Sequence, residues 1–590
     1  MFSIKKKLFV SVVLALVFSL QTPVGASDVS VTGSGWGDGI GLSQYGAKAL
    51  ASNGFTYGEI IKHYFKGTEV DPFSLVSNES FLVSEDKPLW VGLLQDSNSA
   101  AFEIEKGTAE LCFDNEGRCF HLAEEGKSYR FISVSSEECI FVRLGTGRSL
   151  SQLGSAGSCN ASVRPKSPST IIKVPFKARS YKHGILRFRP GSESGKIHTV
   201  YQVGIEDYLK GLSEISDSWP KEAIKAQVVA TRSSVLYELL NQGSVTSLSS
   251  EERSYCFCNL TDSSPDQIYR GWTGEVSYPN WVSAVNATTQ QVVTYLGNIA
   301  LAPHSSSSGG STESYEDVYG KDSHPYLVSV NDAFAFSDIA ENPHQVWEAG
   351  YTRRILAEIY DFDSIFDIEI IDRNPSGSIK NIQISGIVEG RPKKIKVSGN
   401  DFRSSLSLRS TTFDVRVNPI FFDLAANYPL SGEVIYLFDQ GITFGCENRK
   451  YCPQDYVTRG EMAAFLVRAF DLPSISGTVP YIDSFSHTFE SEILVLNASG
   501  ITKGCTPTHF CPEDYVTRGE MAAFLVRTLQ LEKVTDSNKF IDDNGHIFER
   551  EIEILANNGI TDGCDDQKFC PQDYVTRGEM AAFLTRALAL

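Results

Sequence analysis

The chain has 590 residues, enough for about four domains of roughly 150 residues each, and a hydrophobic fraction of 42% with 11% aromatics excludes wholesale disorder. A formal charge of -19 weighs against nucleic acid, whose phosphates need Lys/Arg-rich faces, and no nucleic-acid partner is expected. Screening within about 10 Å still leaves room for a local basic groove. At the N-terminus, Lys5, Lys6 and Lys7 precede "LFVSVVLALVFSL", and Val24 and Ala26 suit the small-residue positions before a signal-peptidase cut. The apolar run is shorter than the ~20 residues that span a bilayer, so residues 1–26 read as a signal peptide and no transmembrane segment is expected. Export favours disulfides over metal sites for the twelve cysteines. The connectivity of Cys112, Cys119, Cys139 and Cys159 stays open.

Along "GSGWGDGIGLSQYGAKAL", Gly33, Gly35, Gly37, Gly39 and Gly41 alternate, which suits close backbone approach to a ligand or another segment; a tight structural turn is the alternative. Gly37, Asp38, Ser43, Gln44 and Tyr45 are candidates to line a sugar groove. Residues 73–165 read as a strand-rich, disulfide-containing insertion, and "SPSTIIKVPFKARSYKHGILRFRPGS" continues in strands. "SWPKEAIKAQVVATRSSVLYELLNQG" is a helix: Pro220 suits its first turn, Gly243 its end, and Ile224, Val228, Thr231, Val235 and Leu239 share a face. Gln227 and Arg232 fall among these packed residues, either supporting a substrate site or snorkelling to the surface.

Glu214 sits in the connection before this helix. Beside Leu212, Ile215 and Trp219, desolvation would favour its protonated form, as a general acid on a glycosidic oxygen requires. An ordinary solvated loop carboxylate is the alternative, and no second carboxylate of a two-carboxylate hydrolase is evident. Cys256 and Cys258 in "YCFCNLTD" have no nearby His to complete a zinc site, so no cofactor is expected, with zinc held by these two cysteines as the alternative. In "HSSSSGGSTES", Ser305, Ser306, Ser307, Ser308 and Gly309 form a candidate substrate loop, with a linker as the alternative. Residues 350–425 alternate as strands, with a short helix near 400–408.

The C-terminal third repeats. "GITFGCENRKYCPQDYVTRGEMAAFLVRAF" recurs twice at a period of 59 residues, each copy reading as helix, turn, small loop, helix. Thr458 and Glu461, Thr517 and Glu520, Thr576 and Glu579 have capping-box spacing. Disulfides Cys446–Cys452, Cys505–Cys511 and Cys564–Cys570 would close short rings and contribute about 2 kcal/mol each.

Three blocks resemble the SpoIID/LytB family: "GSGWGDGIGLSQYGA", "EDYLKGLSEISDSWPKEAIKAQVVATRS" and "YLGNIALAPHSSSSGGSTESYEDVYGKDSHPYLV". The resemblance implies a lytic transglycosylase acting on peptidoglycan strands stripped of stem peptides, with Glu214 as the single catalytic acid and base. The alternatives are a non-catalytic enhancer of a wall amidase and a wall-binding protein with a decayed catalytic domain. Asp38 stands where the family commonly has His. The repeats resemble S-layer homology domains through "F-x-D" (Phe540–Asp542), "G-I-x-x-G" (Gly559–Gly563) and "T-R-x-E" (Thr576–Glu579), with no clear "F-x-D" in the first unit. That resemblance implies anchoring to a wall polymer, with Arg459, Arg518 and Arg577 as contacts, in a secreted cell-wall or cell-surface protein.

The expected fold class is α+β, a β-rich central domain with a long helix after the catalytic loop, followed by an all-α C-terminal array. The expected divisions are 27–72, the insertion 73–165, a core 166–425, and 426–590 with repeats at about 426–473, 480–532 and 537–590.

Overall fold

A computed structural model describes residues 28–590 except 76–86, 136–137, 146–149, 246–254, 264–266, 322, 426 and 533–537. The expected signal peptide lies outside the described residues. The chain divides into two compact units. A central unit comprises Ser34–Val346 with Pro375–Gly377, and a C-terminal unit comprises the residues up to Gly33 with Trp347–Asn374 and Ser378–Leu590.

Two β-sheets carry the central unit. One has seven strands in the order Leu260–Thr261, Leu89–Ser97, Ile197–Val203, Ile185–Pro190, Ala161–Pro165, Ala109–Phe113 and Arg118–Ala123. The other has six: Leu150–Ala156, Cys139–Leu144, Ser128–Ser133, Ser99–Lys106, Ile171–Val174 and Arg179–Tyr181. Alternation decides which face is buried: in "SAAFEIEK", Ala100, Phe102 and Ile104 point inward. Phe131 of the six-stranded sheet stacks on Phe188 of the seven-stranded one, ring centroids 4.5 Å apart, so the sheets face each other across one core. Strands from 73–165 share both sheets with strands from 171–203. Cys112 bonds to Cys119 across a hairpin, and Cys139 to Cys159.

The helix Lys221–Gln242 is the spine of this unit. Pro220 is its N-cap, and Gly243, at φ +77°, ends it. Ile224, Val228, Val235 and Leu239 enter the sheet core. Ala226, Val229 and Ala230 instead pack with Ala47, Leu50, Ile60 and Ile61 of the helices Gln44–Ser52 and Tyr57–Tyr64. Burial on two sides explains why polar Gln227, Thr231, Arg232 and Ser233 are also inside.

In the C-terminal unit, Val29–Gly33 pairs with Trp347–Tyr351 and Phe413–Val417, and Ser364–Arg373, Ile379–Val388 and Arg391–Ser398 form a second antiparallel sheet. The short helix Gly399–Ser405 follows. Each repeat then supplies two helices: Ser431–Asp439 and Arg459–Ala469, Glu490–Ala498 and Arg518–Leu529, Glu549–Asn557 and Arg577–Leu588. All three capping boxes form.

The expectation of an all-α array is corrected. The chain is mixed, and the repeats combine short helices with long irregular segments joined by backbone bridges, Tyr456 to Thr576, Thr458 to Tyr515 and Thr517 to Tyr574. The physical reason lies in the stretch before each capping box, whose amides find partners in a neighbouring repeat. Val457 N donates to Val575 O, Val575 N to Val516 O and Val516 N to Val457 O, each at 2.9 Å. Helix-only packing would leave those donors unmet.

Candidate functional site

Gly35, Gly37, Gly39 and Gly41 lie directly against the 303–313 segment. Trp36 bridges Ser307, Leu42 and Ser43 pair in parallel with His304 and Ser305, and Ile40 bridges Glu313. Gly37, at φ +119°, leaves no room for a side chain: a Cβ there would lie 2.7 Å from that of Ser305. Gly41, at φ +73°, abuts the Pro303 carbonyl in the same way. Of the roles open for the glycines, the structure shows approach to another chain segment.

A buried carboxylate ties the two segments together. Asp332, fully buried, accepts from Tyr64 Oη at 2.7 Å and Ser308 Oγ at 2.6 Å, and Ser43 also hydrogen-bonds to it. Desolvation raises the Asp332 carboxyl above its ordinary range, with these three hydroxyls working against the rise. Ser43 and Ser308, read as groove residues, therefore spend their hydroxyls internally. Ser307 Oγ accepts from Asn342, and Ser305 Oγ is buried without a hydrogen-bond partner among the described residues. Asp38 accepts from Ile40 N at 3.2 Å, turning the loop. Ser34 Oγ donates to Gly309 O at 3.0 Å, and Tyr45 N to Ser306 O at 3.1 Å.

Glu214 sits at this junction. Gln44 Nε2 donates to its carbonyl at 3.4 Å, and its carboxylate Oε2 stands 3.5 Å from His304 Nε2. The two side chains are 19% and 21% exposed, so the pair is neither sealed in the core nor free in solvent. A cavity of about 610 Å³ opens along the same loop, lined by Ser213, Ile215, Ser216, Asp217, Tyr278 and Asn280 among others. Its lining includes the neighbours of Glu214 but not Glu214 itself, which turns to His304. Asp217, the other carboxylate of the loop, is committed to the N-terminus of the helix Pro279–Ala287, accepting from Asn280 N and Trp281 N.

The remaining candidates are held elsewhere. Arg232 makes a bidentate pair with Glu206 at 2.9 and 2.8 Å and donates to the carbonyls of Gln291 and Val285. Gln227 donates to Thr231 within its own helix, while its Oε1 is buried without a partner among the described residues. Cys256 and Cys258 are bonded to each other, which leaves no thiolate there for a metal. Sequence reasoning did not single out His304, His344, Asp332 or Trp36 as site residues. His304 and Trp36 stand inside the quoted serine and glycine blocks and are visible there; His344 and Asp332 meet the site only through tertiary contacts.

Residues 193–295 match the Stage II sporulation protein (SpoIID) family, and residues 421–463 and 539–581 match the S-layer homology domain. The chain carries a SpoIID domain and S-layer homology domains. Three relatives extend this. An uncharacterized protein of Brachyspira hyodysenteriae is 31% identical over 25% of this chain and 37% of its own length. The amidase enhancer of Bacillus subtilis is 30% identical over 29% of this chain, and an S-layer protein of Bacillus thuringiensis is 28% identical over 28% of it; 21% of each is covered. The chain thus spans little more than a third of the first of these relatives and less of the other two. S-layer homology domains mark it as a cell-wall-associated, cell-surface protein. Among the described residues no helix is long and apolar enough to cross a membrane.

The S-layer homology match begins at Phe421, ahead of the expected boundary at 426. Phe421, Phe422 and Asp423 are the first repeat's "F-x-D". Asp423 accepts from Tyr451 N and Cys452 N as Asp483 does from Phe510 N and Cys511 N, and Asp542 from Phe569 N and Cys570 N. The cysteines of each repeat are bonded as expected. The "T-R-x-E" arginines are buried. Arg459 donates to Glu520 at 2.6 Å, Arg518 to Glu579 at 2.9 Å and Arg577 to Glu461 at 2.8 Å, each reaching the capping-box glutamate of another repeat. Their Nε groups donate to the carbonyls of Phe510, Phe569 and Tyr451. Tyr456, Tyr515 and Tyr574 meet pairwise at 5.4 to 5.6 Å, closing a threefold ring.

Proposed function

We propose that the central unit is a peptidoglycan lytic transglycosylase and that the S-layer homology repeats hold it to a polymer of the cell wall. One observation carries the reading: a half-buried Glu214, 3.5 Å from His304, lies where three sequence blocks of SpoIID type converge. In this chemistry Glu214 gives its proton to the glycosidic oxygen as the C1–O bond breaks. The C6 hydroxyl of the same muramic residue then forms the new bond to C1 and returns its proton to Glu214. The product is a 1,6-anhydro end, no water is consumed, and a second catalytic carboxylate is unnecessary. His304 is placed to orient the Glu214 carboxyl between the two transfers.

The test is digestion of peptide-stripped glycan strands with the full chain, scoring anhydro-muramic ends by mass spectrometry. Glu214→Gln should lower the rate by about 10²–10⁴-fold. No anhydro product from the wild-type protein overturns the reading. A second reading, enhancement of a partner amidase, is supported by the likeness to the amidase enhancer of Bacillus subtilis. It predicts that a purified wall amidase is stimulated equally by the wild-type chain and by Glu214→Gln.

A further inference from the structure

The outer face of the seven-stranded sheet carries arginines that the site around Glu214 does not use. In the strand Ile185–Pro190, Leu186 and Phe188 enter the sheet core, so alternation turns Arg187 and Arg189 to the opposite face. Ser162 lies across from Arg187 in the neighbouring strand, and Arg164 follows it by two residues on the same face. Arg164 and Arg187 donate to Asp114 at 2.8 and 2.9 Å, and Arg189 stands 2.9 Å from the same carboxylate. Trp90 packs against two of them, its ring centroid 4.9 and 5.1 Å from the guanidinium carbons of Arg187 and Arg189. All five residues precede residue 193, where the SpoIID match begins.

Three guanidiniums around one carboxylate leave a local formal charge of +2. Asp114 has nothing more to give them. Its oxygens already take Ser162 Oγ and one nitrogen from each arginine, about the four acceptor positions that a carboxylate offers. Arg164 Nη1, Arg187 Nη2 and Arg189 Nη2 have no hydrogen-bond partner among the described residues, and none of them is sealed from solvent. The cluster is nonetheless recessed: the Arg189 side chain is 7% exposed and that of Arg187 15%, while Arg164 forms the rim at 43%. Charges this deep are ordinarily paired. Desolvation lowers the Arg189 guanidinium to about 10, with Asp114 opposing the fall and Arg187 adding to it. One arginine balances Asp114, and the other two have no ion-pair partner besides it among the described residues.

We propose that Arg164, Arg187 and Arg189 form an anion site for a dianionic phosphate group, either inorganic phosphate or a phosphate monoester. Such a group carries about -1.5 to -2 at neutral pH, which matches the surplus, and its oxygens accept the forked N–H donors that Asp114 leaves over. A lone carboxylate supplies only half of that charge. The site does not depend on the reading of Glu214.

The experiment titrates the full chain by calorimetry, in a phosphate-free buffer, with inorganic phosphate, with glucose 6-phosphate and with acetate as the singly charged control. Saturable binding of a phosphate probe is expected, weakened about tenfold by Arg187→Gln and about fivefold by Arg164→Gln. It should also weaken as the pH falls below about 6, where the dianion takes up a proton. Arg164→Gln leaves two arginines on Asp114 and changes only the rim, so a folded variant is at hand even where Arg187→Gln unfolds; unchanged urea midpoints confine the comparison to binding. Tighter binding of glucose 6-phosphate upholds the site and assigns it to an esterified phosphate, and tighter binding of inorganic phosphate upholds it for the free ion. No saturation by either phosphate probe up to about 10 mM overturns the proposal. So does acetate binding as tightly as phosphate, or an affinity for phosphate that the folded arginine variants leave unchanged.

Discussion

In the central unit Arg232 is buried against Glu206, and in the C-terminal repeats Arg459, Arg518 and Arg577 are buried against Glu520, Glu579 and Glu461. All four stand in sequence patterns that suggest ligand contact, yet their guanidinium donors are occupied by the protein itself. Glu214 differs. Its carboxylate faces an imidazole at partial exposure, in a place assembled once from segments up to 262 residues apart rather than repeated at a fixed period. A repeated motif must satisfy packing at every copy, so its invariant charges are drawn into the interfaces. A site assembled once can keep a charge at the surface for chemistry.

The largest expected effect breaks the repeat side of that contrast. Arg518→Ala strands Glu579 and a carbonyl, and should cost about 3–5 kcal/mol. The segment 421–590 contains no tryptophan, so this loss should appear in far-UV circular dichroism with little change in indole fluorescence. An unchanged urea midpoint by circular dichroism would mean that the arginines are not clasps. Next, Gly41→Ala forces a Cβ against the Pro303 carbonyl at positive φ and should cost about 2–4 kcal/mol, read by fluorescence from the tryptophans of the central unit. A loss of activity without a stability loss would assign Gly41 to substrate approach instead.

Smaller effects sharpen the comparison. Replacing Cys505 and Cys511 by Ala should cost about 2 kcal/mol, since the closed ring is short. Asp543 is buried in the third repeat, and desolvation with Glu553 and Glu549 nearby pushes its carboxyl up to about 6 from an ordinary 3.8. A raised carboxyl stabilises the native state fully below its unfolded value and loses that contribution as pH rises through about 6. Asp543→Asn should therefore gain about 1 kcal/mol at pH 8 and nothing at pH 4, measured by urea melts. An equal gain at both pH values would refute the ionisation argument.

Local features were legible in the sequence where local physics decides them. The Thr-x-x-Glu boxes, the helix from Lys221 and its end at Gly243 rest on neighbours within four residues. The approach of the glycine block to another segment was one of three readings, and recognising it required knowing that Ser305 lies opposite Gly37. Asp332 looks like any loop aspartate until Tyr64, 268 residues away, donates to it. The arginines of the repeats could not be placed by spacing, because each partner lies in another copy. For the same reason the array was expected to be all-α: amides that pair between copies leave no period-two pattern. The motif of Asp423 is written in the chain, but it lies ahead of the boundary expected at 426, five residues after the match begins at Phe421.

The last helix packs on the first, and Thr585 reaches the Glu433 carbonyl at 3.4 Å, so the third copy hands the chain back to where the first began. Each of the three clasps draws its arginine and its glutamate from different copies. Removing one unit would strand a guanidinium and a glutamate without mates, so the three copies are bound to one another as a single cooperative ring.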